Sequence, residues 1–139
     1  MKIQKLYAMA LAVATTVLAL ALLAAPSFAQ SMSAQIPFDF YANDKLMPAG
    51  SYTARVNTDR RVVTIEDGKG NATLVLAISE VSRVSENNRL VFNRYGNMNF
   101  LSAVSWRGLA NGQRIAISKL QLEATKNGSP TQVAIESKK

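Results

Sequence analysis

The chain has 139 residues, 16 Lys+Arg against 9 Asp+Glu, a formal net charge of +7, and neither Cys nor His. Such a length holds one domain rather than two. Without Cys there is no disulfide, no thiol nucleophile and no thiolate-bound metal or cluster. Without His the commonest general base and transition-metal ligand are missing, so neither a Ser-His-Asp nor a Cys-His arrangement can be assembled.

The first segment reads as an address. Lys2 and Lys5 open it, an apolar run follows from Leu6 to Ala25, Pro26 breaks the run, and Ser27-Phe28-Ala29 comes next. Small residues at Ser27 and Ala29 suit a signal peptidase. The expectation is a signal peptide over residues 1–29, cut between Ala29 and Gln30, with a weaker second site after Ala34. The competing reading is an uncleaved anchor, since a run of about twenty residues is long enough to span a bilayer. No Cys follows the cut to carry a lipid, and no second apolar run exists. The protein is therefore expected to be exported, to the periplasm or outside the cell, with no stable membrane span after cleavage. Cleavage removes Lys2 and Lys5 and no acid, so the net charge falls from +7 to +5. The remaining single domain, 30–139, must hold its core by apolar burial alone.

That domain reads as short strands between turns. Ile36 to Tyr41 alternates, with Ile36, Phe38 and Phe40 on one face. Asn43-Asp44-Lys45 turns the chain, and Ser51 to Asn57 follows with Tyr52, Ala54 and Val56 inward. Thr58-Asp59-Arg60 is a turn, Arg61 to Glu66 a β-branched strand, and Asp67-Gly68-Lys69-Gly70-Asn71 a hairpin loop. Ala72 to Ile78 is nearly all apolar and reads as a central strand, while Ser79 to Asn88 reads as a loop or irregular edge. Arg89 to Tyr95 and Asn99 to Trp106 are strands around a Gly96-Asn97 turn, and Arg107 to Gln113 is a loop. Ile115 and Ile117 alternate as in a strand, but Leu120, Glu123 and Ala124 suit a helix from about Ser118 to Thr125, capped by Ser118. Asn127-Gly128 ends it, and Thr131 to Glu136 is a candidate closing strand. The fold class expected is all-β: an antiparallel meander forming a small barrel or sandwich, with a short C-terminal helix.

Two stretches resemble a family of small exported bacterial proteins of unknown function. One is Ile36-Pro37-Phe38-Asp39-Phe40 with Asn43, Lys45, Leu46-Met47-Pro48-Ala49-Gly50 and Tyr52; the other is Leu90 to Gly96 with Phe100-Leu101 and Trp106. The resemblance implies a signal peptide and a compact β domain, and it supplies no reaction and no catalytic residues. Asn93 stands where that pattern has His, at the one place a metal or proton role could be sought.

Four constellations invite chemistry. Asp39, Asp44, Asp59, Glu66, Asp67, Glu80, Glu86, Glu123 and Glu136 are scattered, mostly in turns or on outward faces, whereas a glycosidase needs two facing carboxylates. Asp67 to Asn71 invites a calcium loop, but a Lys in its middle opposes a cation and its glycines suit a hairpin. Arg83, Arg89, Arg94, Arg107 and Arg114, interleaved with aromatics, could contact a polyanion. Export speaks against nucleic acid and toward an anionic polymer or lipid. Phe38, Phe40, Tyr52, Phe92, Phe100 and Trp106 could line a cavity for an apolar ligand, or simply pack a core. The leading expectation is a non-enzymatic exported domain without cofactor or metal, acting as a binding or envelope-associated structural module on an envelope component or protein partner. A lipid-like carrier or sensor stands second, and a carboxylate-dependent hydrolase third.

Overall fold

The computed structural model describes residues 28–57 and 59–137. The expected leader lies outside the described residues, apart from Phe28 and Ala29, and so does Thr58 of the expected turn.

Alternating burial builds the sheet from its first strand. In β1 (Phe28–Ile36), Met32, Ala34 and Ile36 are buried while Ser31, Ser33 and Gln35 are exposed. The alternation continues through Phe38 to Phe40, but the strand does not: Pro37 has no N–H to give a ladder, and pairing resumes only at β2 (Phe40–Ala42). Thus the single strand expected from Ile36 to Tyr41 is two pieces. The Ser-Met-Ser-Ala-Gln-Ile alternation that makes most of β1 lies outside the strands expected from the sequence.

Asn43 and Asp44 have φ of 50° and 59°, the left-handed pair that joins β2 to β3 (Lys45–Met47) in a tight hairpin. β4 (Gly50–Asn57) buries Tyr52, Ala54 and Val56, as the alternation predicts. It pairs with β1 on one side and with β5 (Val62–Asp67) on the other. Asp67 then shapes the next hairpin: its Oδ1 accepts from the backbone N–H of Lys69 at 2.8 Å and of Asn71 at 2.9 Å. Gly70 there sits at φ 88°.

β6 (Ala72–Val81) runs three residues further than expected. Its first half pairs with β5, and its second half pairs with β9 (Asn111–Ile115). The loop expected over Arg107 to Gln113 thus ends in a strand. Its Gly112 lies 3.4 Å, at the position of an added Cβ, from the Val104 carbonyl, so a small residue suits this close crossing. β7 (Arg89–Tyr95) and β8 (Met98–Ser105) form a hairpin through Gly96 at φ 60°. α1 (Lys119–Thr125) starts where Ser118 Oγ accepts from Gln121 N–H at 3.2 Å, the cap read from the sequence. β10 (Thr131–Glu136) pairs with the outer edge of β7.

The result is a mostly β structure with one short C-terminal helix among the described residues. The strand order is β1-β4-β5-β6-β9-β8-β2-β3, with β7 and β10 added at β8. The sheet is mixed, because β2 meets β8 in parallel at Tyr41 and Phe100. It does not close into a barrel: β1 and β10 share no ladder and touch through Ser137 Oγ, which donates to the Ser33 carbonyl at 2.6 Å. β6, shared between the two halves, lets the sheet fold over on itself as in a sandwich.

Candidate functional site

The outer face of β6 is where the molecule departs from ordinary patterning. Its inward residues are Thr73, Val75 and Ala77, while the larger Leu74, Leu76 and Ile78 face out at 61 %, 69 % and 51 % exposure. Cross-strand neighbours extend the apolar row: Val62 lies opposite Leu76, and Ala116 donates its N–H to the Leu76 carbonyl at 3.0 Å. Thr64 faces Leu74 and Arg114 faces Ile78.

A groove runs beside this row because the strands are offset. β5 begins only at Val62, so the second half of β6 has no β5 partner, and the turn before β5 stands against it. Leu76, Ile78 and Ala116 line the groove, and Arg60 and Arg61 stand in the turn beside them, enclosing about 520 Å³ of mostly apolar space. Arg60 is held at φ 59° by a turn in which its N–H reaches the Asn57 carbonyl at 3.0 Å. Asn57 Oδ1 accepts from both Arg61 N–H and Val62 N–H at 3.0 Å, which fixes where the two arginines start. Among the described residues neither guanidinium forms an ion pair; Asp59, which lines the same groove, turns its Oδ1 to the Arg61 backbone N–H at 3.2 Å. Arg114 differs, with its Nε 3.6 Å from Glu80 Oε2. Reading the sequence for basic residues among aromatics missed Arg60 and Arg61. The signal that could have found them was two adjacent arginines in a turn before a strand whose partner is apolar on both faces.

The five arginines singled out from the sequence do not form one patch. Arg89 and Arg94 sit toward opposite ends of β7, about 17 Å apart along the strand. Arg94 Nε donates to Asn99 Oδ1 at 2.7 Å and its guanidinium lies 5.2 Å from the Phe38 ring centroid, a structural contact. The loops carrying Arg83 and Arg107 meet through a Ser85–Arg107 bridge, near the Arg89 end. Arg114 alone joins the β6 face.

The six aromatics are drawn inward. Phe40 meets Tyr52 and Phe92 edge-on, with centroids 5.1 and 5.3 Å apart, and Phe38 meets Phe92 at 5.1 Å. Phe100 stacks on Tyr41 at 5.2 Å. Trp106 is buried with its Nε1 unpaired, and Gln30 Oε1 nearby is unpaired as well; both residues line a shallow hollow with Asn88 and Arg107. Gln30 itself continues β1 opposite Val56. Asn93, where the resemblance has His, also keeps its Oδ1 buried without a partner.

The carboxylates are mostly occupied by the backbone or by cations. Asp39 accepts from Ala49 N–H at 2.9 Å, Asp44 from Leu120 N–H at 3.2 Å, and Glu66 lies 3.6 Å from Arg55. Asp67 is held below the usual carboxylate range by Asn71 first and the Lys69 N–H next. Tyr52 is pushed up by burial, then by Asp67 and Asp39, and its hydroxyl donates to the Pro48 carbonyl. Among the described residues no three carboxylates gather as a metal site. No described helix is long and apolar enough to cross a membrane. Compared with family models, curated proteins and solved structures, the chain matches none.

Proposed function

We propose that the protein is an exported, non-catalytic module that works by binding a component of the cell envelope, with the outer face of β6 as its contact surface. The observation that carries this reading is the apolar outer face of that strand. Burying Leu74, Leu76 or Ile78, each more than half exposed, is worth about 1–2 kcal/mol per side chain. A strand in water gains nothing by keeping them outside, whereas a surface that meets a partner does. Two further observations support the reading. The aromatic rings pack against one another, and most carboxylates are tied to backbone N–H groups or to arginines. Both weigh toward a surface contact and away from an interior carrier or a carboxylate pair at work on a substrate.

The test is fractionation of the host cell expressing the chain or its L74S/L76S/I78S variant. The recovered wild-type chain should have the mass of Gln30–Lys139 and sediment with envelope fractions. The variant, folded by circular dichroism, should move to the soluble exported fraction. An unprocessed mass found in the inner membrane would replace export by anchoring. A variant that distributes like the wild type would remove β6 as the contact surface.

A further inference from the structure

We infer that the occupant of the β6 face is the surface of an anionic, phosphate-bearing lipid bilayer. The inference rests on the reading of β6 as the contact surface and names what that surface meets. The argument is charge complementarity beside apolar area. Leu76, Ile78 and Ala116 form an apolar floor, and Arg60 and Arg61 stand at its side with no acidic partner of their own among the described residues. Asp59 lines the same groove and spends one carboxylate oxygen on the Arg61 backbone N–H, so two cations stand there against one anion. Across the strand Arg114 lies opposite Ile78 but is paired with Glu80 at 3.6 Å, so the unneutralised cations stand on the Arg60–Arg61 side of the row. Guanidinium groups bind phosphate in a fork, and their stems cover apolar surface while the heads stay wet. Leu74 to Ile78 extend about 13 Å along one strand, an apolar row open to solvent beside the two arginines. A second copy fits poorly. Face-to-face pairing would bring together two chains of net charge +7, or +5 after cleavage, and bury two arginines from each copy.

The experiment uses the chain recovered from the host, wild type and variants compared at the same N-terminus, so that any effect of the leader is common to all. Vesicles of phosphatidylcholine, alone or mixed with phosphatidylglycerol, are sedimented with the protein over a range of salt. Binding should require the anionic lipid and weaken as salt rises. R60Q and R61Q should each weaken it about fivefold, as expected for a cation near an anionic surface. L76S/I78S should abolish it, with unfolding midpoints close to wild type for all variants. R89Q/R107Q removes the same two charges elsewhere as R60Q/R61Q removes here, and should change binding less than twofold.

Several results would overturn the inference. They are equal binding to both vesicle types, no vesicle binding, or an equal loss from R89Q/R107Q and R60Q/R61Q. A concentration-dependent dimer that L76S/I78S turns into a monomer would put a second copy on the face instead. These failures are separable from failure of the contact surface. If L74S/L76S/I78S still leaves the envelope while vesicles are not bound, β6 remains the contact surface and the lipid is wrong. If the variant stays with the envelope, both fall.

Discussion

β1 and β6 obey the same alternation and present opposite exteriors. β1 buries Met32, Ala34 and Ile36 and shows Ser31, Ser33 and Gln35 to solvent. β6 buries Thr73, Val75 and Ala77 and shows Leu74, Leu76 and Ile78. Transfer energy alone would turn β6 over, since a one-residue slip exchanges its two faces. It stays as it is because its register is held from two sides, by β5 over Ala72–Leu76 and by β9 over Ala77–Val81. The comparison teaches that β6 is placed by its neighbours, and that its outer apolar row survives against its own preference.

The largest effects should come from treating the two faces of β6 alike. Val75→Asp puts a charge into a site closed to water and should leave the chain unfolded, whereas Leu76→Asp on the other face should fold. Circular dichroism of the pair reads the difference; a folded Val75→Asp protein would mean that β6 can flip. Next is the core that both strands cover. Phe92→Ala removes a fully buried ring that touches Phe38 and Phe40 and should cost about 3–5 kcal/mol in urea unfolding. A loss under about 1 kcal/mol would show that the aromatic cluster is looser than its edge-on contacts imply.

Smaller effects test elements away from the comparison. Ser118→Ala removes the cap of α1 and should cost about 1 kcal/mol. The smallest concerns pH. The Asp67 carboxyl is lower in the folded chain than its ordinary 3.8, so its contribution is complete above that value and is lost as pH falls below it. Asp67→Asn should therefore flatten the loss of stability in acid. Tyr52 runs the other way: its hydroxyl is raised above 10.0, so the stability it contributes is present below that pH and lost above it. Tyr52→Phe should flatten the alkaline side of the profile, and an unchanged profile would detach Tyr52 from it.

Much of the fold was legible from local pattern. The inward faces of β4 and β7, the Asp67 hairpin, the Ser118 cap and the closing β10 all follow from a period of two or from turn and cap chemistry within a few residues. What escaped has a common cause. β1 was obscured by its position beside an apolar leader, and β9 by Gly112 and Asn111, which signal a loop until a neighbouring strand pairs with them. The candidate site was less legible still. The five arginines chosen for their nearness to aromatics are spread over both ends of β7, two loops and β9, while Arg60 and Arg61, read as a turn residue and the start of a strand, were not counted among them.

By itself the sequence determined that the domain is β-rich, that cysteine and histidine chemistry is closed to it, and where its tightest turns fall, because those depend on composition and on neighbours in the chain. Only the tertiary structure decided that the sheet stays open, that β2 joins β8 in parallel, and that Leu74, Leu76 and Ile78 face outward beside Arg60 and Arg61. The physical reason is that an almost wholly apolar strand carries no instruction about which face to bury. The ladders on either side supply that instruction, and they are made by residues far away in the chain.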